Sequence, residues 1–171
     1  MSAPASFGAA RYVLPLAGDN VLIVEPLVAA EGARLGAVFA GIDPWAAYGY
    51  AAATLSAFLA GHEPGAQRLA LTIDGETIGT AVVRPGWLRG PYLQFLAVVP
   101  GAQGRGIGSA FISWMEREAR DAKERNLWVA ASEINTGAIR LYERQGFKQI
   151  ATLDDLAWDG RAEILMRKRL I

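Results

Sequence analysis

The sequence contains no cysteine and only one histidine, and both scarcities restrict the chemistry open to it. Without cysteine, neither a disulfide framework nor a thiolate nucleophile is available. His62 alone cannot build a common zinc site or a Ser-His-Asp triad. Its neighbours, Gly61 and Pro64, are typical of a solvated loop. We therefore expect neither a metal centre nor a covalent enzyme intermediate.

The chain also lacks an excess of either charge and any long apolar run. Lys plus Arg number 17 and Asp plus Glu number 17, so the formal net charge is zero. A balanced surface gives no general attraction to nucleic acid or to an anionic membrane. No apolar run approaches the roughly 20 residues of a membrane span, and no basic start precedes an apolar core. We expect a cytoplasmic protein with no nucleic-acid or membrane partner.

The remaining composition indicates one folded domain. Of the 171 residues 52% are hydrophobic, enough for a substantial core. We predict an N-terminal extension over residues 1–18, with flexibility expected in its Ala-, Ser- and Pro-rich start, and a single domain over residues 19–171. Helical spacing or β-rich runs predict the order strand, two helices, three strands, helix, strand, helix and two strands. The Asp74-Gly75 and Asp159-Gly160 pairs predict hairpins.

A glycine-rich turn between a buried strand and a helix is the most informative segment. The apolar run from Tyr92 to Val99 leads into Gly104, Gly106 and Gly108, and a helix is predicted from Gly106 to Lys123. Glycines admit close approach of a ligand, and a helix N-terminus offers free N–H groups to an anion such as a pyrophosphate. The segment matches neither a Walker loop nor the dinucleotide fingerprint. A tight turn without a ligand remains an alternative.

Two motifs resemble those of the GNAT superfamily of N-acetyltransferases. The family's Gln/Arg-x-x-Gly-x-Gly/Ala signature stands here as residues 103–108. Its Asn-x-x-Ala-x-x-Leu-Tyr-x-x-x-Gly-Phe segment stands as residues 135–147. The resemblance covers about residues 68–170, and in motif style it is closest to bacterial ribosomal-protein-alanine-acetyltransferase-like members. It implies an α/β (α+β) fold, with a mixed, mostly antiparallel sheet of six to seven strands flanked by about four helices.

The resemblance also implies an activity, the transfer of acetyl from acetyl-CoA to a primary amine, and a set of site residues. The strand backbone would hold the pantetheine arm, the glycine turn the pyrophosphate, Asn135 the arm again, and Tyr142 the leaving sulfur. The implied cofactor-binding residues are Leu96, Ala97, Val98, Gln103, Gly104, Arg105, Gly106, Ile107, Gly108, Ser109, Asn135 and Tyr142. Asn135 and Tyr142 are two helical turns apart and point the same way. Asn135 is also a natural helix N-cap.

Catalytically, Tyr142 is expected to act as general acid and the Val98 N–H as oxyanion donor. The family's base positions match Tyr92, Gln94 and Ala130, and none of these is a carboxylate or imidazole. Gln94 is expected to face the cleft and to orient a water or the amine. We therefore expect water-relayed deprotonation or capture of a neutral amine, with Glu133, Asp43 and Asp154 as distant alternatives.

The acceptor is expected to be a small-molecule or peptide amine. Candidate acceptor-site residues are Trp45, Tyr48, Trp87, Arg89, Tyr92 and Trp158, whose aromatic rings suit an amine. The scarcity of acidic neighbours argues against a polyamine. Two other hypotheses stay open: an acyl-CoA-binding module with weakened chemistry, and a partner-binding domain that uses the glycine turn for shape. Exposed edge strands leave room for a homodimer.

Overall fold

The computed structural model describes Phe7 and residues 11–171. Over these residues the chain forms one eight-stranded sheet with four α-helices. The strands are β1 (Tyr12–Pro15), β2 (Val21–Pro26), β3 (Gln67–Ile73), β4 (Glu76–Trp87), β5 (Gly90–Val98), β6 (Asn126–Ser132), β7 (Lys148–Asp154) and β8 (Ala162–Arg169). The helices are α1 (Ala29–Phe39), α2 (Ala52–Ala60), α3 (Ile107–Asp121) and α4 (Thr136–Arg144).

The sheet is antiparallel except at its centre. The spatial order is β1-β2-β3-β4-β5-β6-β8-β7, and only β5 and β6 run parallel. These two strands pair at Tyr92 with Trp128 and at Leu93 with Val129, and the pairing ends there. Beyond Leu93 the strands separate, so the carboxyl-terminal half of β5 loses a strand neighbour on one side. The sheet thus opens a cleft in its middle.

A β-bulge lies where the two central strands begin to separate. On β4, Val82 pairs with Phe95 while the next residue, Val83, pairs with Leu93. Gln94 is therefore the extra residue on β5. Bulges of this kind bend a strand and redirect a side chain. Here the bulge turns the second half of β5 away from β6.

The helices cover the two faces of the sheet and complete two apolar clusters. Helices α1 and α2 pack over β4 and β5 through Leu35, Phe39, Leu55, Leu59 and Phe95. On the opposite face α3 buries Phe111, Ile112, Trp114 and Met115 against the sheet. Helix α1 approaches α2 closely because Gly36 carries no side chain; a Cβ there would lie 2.4 Å from the Ser56 nitrogen. The pair of helices forms a fixed wall beside the cleft.

The sequence-based expectation of a mixed, mostly antiparallel α/β sheet with about four helices is confirmed, but eight strands are present rather than six or seven. The additional strand is β1, which pairs with β2 inside the predicted extension, so the sheet begins before residue 19. Residues 1–6 and 8–10 of that extension lie outside the described residues. The β3–β4 hairpin forms at Asp74-Gly75, with positive φ at both residues. The last hairpin has a longer loop than a two-residue turn, from residue 155 to 161.

Among the described helices, none is both long and apolar enough to cross a membrane.

Candidate active site

Two adjoining cavities lie beside β5, and the first of them also borders β6. The first, of about 410 Å³, has seven aromatic residues in its lining and is called the aromatic cavity below. The second, of about 580 Å³, runs along the glycine turn and is called the glycine groove. Trp45, Leu96, Asn135, Ala138 and Tyr142 line both. A ligand in the groove can therefore present one end to the aromatic cavity.

The glycine groove ends on a row of free backbone donors. The N–H groups from Gly104 to Ser109 have no hydrogen-bond acceptor among the described residues, and the α3 ladder starts only when the Ala110 N–H donates to the Gly106 oxygen at 2.9 Å. Gly104 and Gly106 both have φ +76°, and a Cβ at either would meet no atom within 4 Å. Free donors at the positive end of a helix form an anion site.

The structure narrows the set of predicted pyrophosphate-binding residues. The Gln103 N–H already donates to the Pro100 oxygen at 3.3 Å, so it is not free for a ligand. Arg105 is exposed and lies outside the groove's lining residues. Gly104, Gly106, Ile107, Gly108 and Ser109 all line the groove. The free donors along this part of the groove are therefore mainly backbone groups.

The backbone of β5 alternates between its neighbour β4 and the cleft. The Val99 N–H donates to the Ile78 oxygen at 2.8 Å, which makes these two a hydrogen-bonded pair. Because hydrogen-bonded and non-hydrogen-bonded pairs alternate in an antiparallel ladder, the backbone groups of Val98 and Leu96 point into the cleft and those of Ala97 point to β4. Of the three predicted residues, Ala97 thus lines the groove but offers it no free backbone group.

The Val98 carbonyl confirms this direction. It accepts a hydrogen bond from the Gln103 Nε2 at 3.0 Å, across the mouth of the cleft. The side chain of Gln103 thereby ties the glycine turn to the end of β5. The Val98 N–H and the Leu96 backbone groups remain for a ligand that lies along the strand.

Asn135 and Tyr142 stand at the junction of the two cavities. Asn135 caps α4, with its Oδ1 accepting from the Ala138 N–H at 3.1 Å. Tyr142 lies on the same helix and is 6% exposed, yet no described residue hydrogen-bonds its hydroxyl. Burial, followed by the nearby Tyr92, raises the pKa of Tyr142 well above its ordinary value. The phenol is therefore a neutral donor, available at the junction.

Some of the predicted acceptor-site residues lie at the aromatic cavity, and others lie away from it. Trp45, Tyr48 and Tyr92 line the aromatic cavity. Trp158 is not a lining residue, but it stacks on Tyr48 and packs at a tilt against Tyr50, with ring centroids 6.3 and 5.5 Å apart, and it is 44% exposed. Tyr48 itself is fixed by a hydrogen bond to Ser132.

Trp87 and Arg89 were also predicted to lie in the acceptor site, and neither lines either cavity. Trp87 packs against Tyr92 and Trp128, at centroid distances of 4.8 and 5.3 Å, on the far side of Tyr92 from the cavity. Arg89 is exposed in the β4–β5 turn, where its carbonyl accepts from the Arg125 N–H. The turn places both residues at the closed end of the β5–β6 pair.

Gln94 does line the aromatic cavity, and its side chain is held from behind. Its Oε1 accepts from the Arg84 Nε at 2.8 Å, and Arg84 pairs with Glu63 at 2.5 Å. This fixes the amide so that its NH₂ group is the part left for a ligand or a water. As expected from its chemistry, Gln94 cannot take a proton there.

Of the distant alternatives for a base, only Asp43 borders a cavity, and that is the glycine groove. Its Oδ1 accepts from the Ala47 N–H at 3.1 Å. Glu133 accepts from the Ala162 N–H at 3.3 Å and lines neither cavity, nor does Asp154. None of the three faces the aromatic cavity.

Sequence reasoning missed one acidic residue of the aromatic cavity, Glu163 on β8. It lies opposite Ser132 of β6 and is half-buried. Burial, and then the charge of Glu133, raises the pKa of Glu163. A signal was present in the sequence, since Glu163 is a lone carboxylate in an apolar run, on the face opposite Ile164 and Met166. No cluster of three or more potential metal ligands occurs in the part of the chain that the structure describes.

The comparisons with known proteins agree with this geometry. The family model described as Acetyltransferase (GNAT) family matches residues 37–147. The chain belongs to the GNAT family of acetyltransferases. A curated relative, the streptothricin acetyltransferase of Streptomyces lavendulae, is 30% identical over 95 residues, which is 55% of this chain and 50% of that protein. The chain spans about half the length of the curated relatives it matches.

Solved structures share the fold. A GNAT-family acetyltransferase from Desulfovibrio desulfuricans superposes with a TM-score of 0.70 at 22% identity, covering 88% of this chain and 99% of that one. The ribosomal-protein-S18-alanine N-acetyltransferase of Escherichia coli gives 0.68 at 21% identity, with coverages of 87% and 94%. A Bacillus anthracis structure described as a streptothricin acetyltransferase, in complex with acetyl coenzyme A, gives a TM-score of 0.55 at 17% identity, covering 63% of this chain and 64% of that one.

Proposed function

We propose that the protein is an N-acetyltransferase that transfers acetyl from acetyl-CoA to a primary amine by direct attack in a ternary complex. The observation that carries the proposal is the continuity of the two cavities: free N–H groups at one end, an unpaired strand edge along the middle, and Tyr142 at the junction with an aromatic chamber. Such a path fits a long thioester whose diphosphate is anchored away from the reacting carbon.

The residues present fit coenzyme A. The N–H groups from Gly104 to Ser109 would hold the diphosphate, and the backbone of Leu96 and Val98 would pair with the amides of the pantetheine arm as an added strand does. Asn135 borders both cavities and would contact the same arm beside its capping role. Gln103 keeps the turn closed on β5 rather than binding through its own N–H.

The chemistry asks the protein mainly to position and polarise. The Val98 N–H points into the cleft and would donate to the carbonyl oxygen of the thioester as negative charge develops there. The Tyr142 hydroxyl would donate its proton to the departing thiolate, and its raised pKa keeps that proton in place at neutral pH. Direct attack needs no protein nucleophile, in keeping with the absence of cysteine.

The acceptor is a primary amine, and several kinds of amine belong in a test of it. The relatives carry names that point to different acceptors, streptothricin in one case and a ribosomal-protein alanine in another. Both kinds therefore belong in a test panel. The motifs resemble those of ribosomal-protein-alanine acetyltransferases, so a peptide with N-terminal alanine is one candidate acceptor.

Two measurements test the function together. Calorimetry with coenzyme A should give a one-to-one complex, and incubation of acetyl-CoA with a panel of amines should release free thiol together with an acetylated amine found by mass spectrometry. The panel should hold simple monoamines, a polyamine, streptothricin and a peptide with N-terminal alanine. Binding without acetyl transfer to any amine would favour the acyl-CoA-binding module. No binding at all would favour a partner-binding domain.

A further inference from the structure

Glu163 is a carboxylate that the structure places in the wall of the aromatic cavity, where it makes no stabilising polar contact with the described strands of the sheet. It sits at the start of β8, opposite Ser132 on β6 and Leu153 on β7, and lines the aromatic cavity between them. No described residue donates a hydrogen bond to its carboxylate or forms an ion pair with it. A half-buried carboxylate without a partner costs free energy, and such groups are concentrated where a ligand or a reaction needs them.

The groups around Glu163 do not neutralise it. On β6 and its following loop lie Ser132, which binds Tyr48, and Glu133, which is a like charge. Tyr92 of β5 and Tyr50 face it, and the pKa of each tyrosine is raised by burial and then by the charge of Glu163. The nearest described cation along the chain, Arg161, lies over the Tyr48 ring at 5.7 Å. Arg84 also acts on Tyr92, but it is paired with Glu63. When ionised, Glu163 is therefore a negative charge with no paired cation among the described residues.

The walls around that charge are aromatic. The rings lining the cavity belong to Trp45, Tyr48, Tyr50, Phe58, Tyr92, Phe95 and Tyr142. Aromatic faces attract a cation and accommodate an apolar body. Among the described residues that line this cavity, Glu163 is the one carboxylate. A second ammonium on the same molecule would find no counter-charge there.

We propose that Glu163 is the general base of the reaction and the charge that selects its acceptor, a primary amine with a single positive charge and an apolar or aromatic body. This inference rests on the proposed acetyl transfer. Glu163 accepts one proton of the bound ammonium, directly or through a water. The freed amine attacks the thioester carbon, a C–N bond forms and the C–S bond breaks. Tyr142 protonates the thiolate, and the second nitrogen proton replaces the one that Tyr142 gave. One proton leaves through Glu163.

The main experiment compares kcat/KM across pH for the wild type, Glu163→Gln and Glu133→Gln, with 2-phenylethylamine as acceptor. Glu163→Gln should lower kcat/KM at pH 7 by about 10². The reduction in kcat/KM of this variant relative to the wild type should become smaller as the pH rises toward the pKa of the amine, because free amine needs no base. Glu133→Gln should keep the wild-type maximum within about twofold. Its acidic limb should move to lower pH, because the charge that raises the pKa of Glu163 is gone.

Two further readouts separate a catalytic role from a structural one. Because burial raises the pKa of Glu163 in the folded state, ionisation of this carboxylate opposes folding at pH values above that pKa. Glu163→Gln should therefore unfold at the same or a higher temperature than the wild type at pH 8. Glu163→Asp keeps a carboxylate and should recover part of the lost rate.

Acceptor selection is tested with the same proteins. 2-Phenylethylamine and pentylamine should exceed spermidine in kcat/KM by at least about tenfold, and Glu163→Gln should raise KM for the monoamines as well as lower kcat. The inference is overturned if Glu163→Gln retains wild-type turnover and pH profile, or if spermidine is the better acceptor. In either case acetyl transfer itself would still stand. If no amine in the panel is acetylated by the wild type, the proposed function fails instead.

Discussion

Gly106 gives the sharpest test of the anion site because it separates charge from shape. The residue is the N-cap of α3 with φ +76° and ψ 8°, is exposed, and has open space where a Cβ would lie. Asn and Asp are nearly isosteric, and both tolerate this left-handed conformation better than other residues with side chains. The pair Gly106→Asn and Gly106→Asp therefore differs in one negative charge beside the proposed diphosphate.

The size of the effect follows from Coulomb's law. Two unit charges about 6 Å apart interact by about 3 kcal/mol at an effective dielectric constant of about 20, and by less than 1 kcal/mol in bulk water. For an exposed position we expect an intermediate penalty of about 1.4 kcal/mol or more, which is a tenfold or greater rise in the Kd for coenzyme A. Folding should not follow the same order, because a negative charge at a helix N-terminus stabilises it by about 0.3–1 kcal/mol.

Calorimetry with coenzyme A at low salt, repeated in about 0.5 M salt, measures this directly. The Asp variant should bind at least tenfold more weakly than the Asn variant, with a gap that narrows at high salt because exposed charges are screened. Thermal unfolding should show the Asp variant to be as stable as the Asn variant or more so. Equal affinities for two folded variants would refute the placement of the diphosphate on this turn. Gly108 is less suitable, since a Cβ there would meet the Leu141 side chain at 3.0 Å.

Three further substitutions test other parts of the site. Tyr142→Phe should lower kcat for thiol release by about 10² and leave the Kd for coenzyme A within about threefold, and full turnover would remove the general-acid assignment. Asn135→Ala should lower the free energy of unfolding by about 1 kcal/mol in chemical denaturation, with Asn135→Asp close to the wild type, because the N-cap bond to Ala138 is lost only in the first. Gly90→Ala should lower the free energy of unfolding by about 1–3 kcal/mol, because a Cβ there would lie 1.9 Å from the Asn126 oxygen. An unchanged free energy of unfolding would contradict the close approach of β5 to β6.

Much of the fold was predictable because local patterns and long-range packing agree. The Asp74-Gly75 pair specifies a hairpin by its own backbone preference, and α3 has a sharply divided apolar face around Phe111 and Trp114. Strand β1 was not predicted, because Tyr12–Pro15 is a short run whose strand character depends on pairing with β2. The predicted homodimer through exposed edge strands stays a prediction.

The site was predictable where the backbone makes it and less so where side chains from distant segments meet. Glycines followed by a helix start indicate a turn with free N–H groups, so the geometry of the segment from Gly104 to Ser109 could be predicted from the sequence, and its binding of an anion stays a prediction. Glu163 stands out in the sequence as a lone carboxylate in an apolar run, but its place in the cavity depends on the pairing of β8 with β6. That pairing joins segments about thirty residues apart, and the sequence pattern does not reveal it. Trp87 was predicted near the acceptor, but it packs against Tyr92 and Trp128 and does not line the cavity. The sequence shows that an aromatic residue lies near a cleft, but it does not show on which side of Tyr92 its ring packs.

A crystal structure with bound acetyl-CoA tests the central claim most directly. We expect the diphosphate oxygens within hydrogen-bond distance of the N–H groups between Gly104 and Ser109, the pantetheine arm along Leu96 and Val98, and the thioester sulfur beside the Tyr142 hydroxyl. Clear density for the coenzyme on another surface, or a diphosphate held away from the start of α3, would contradict it.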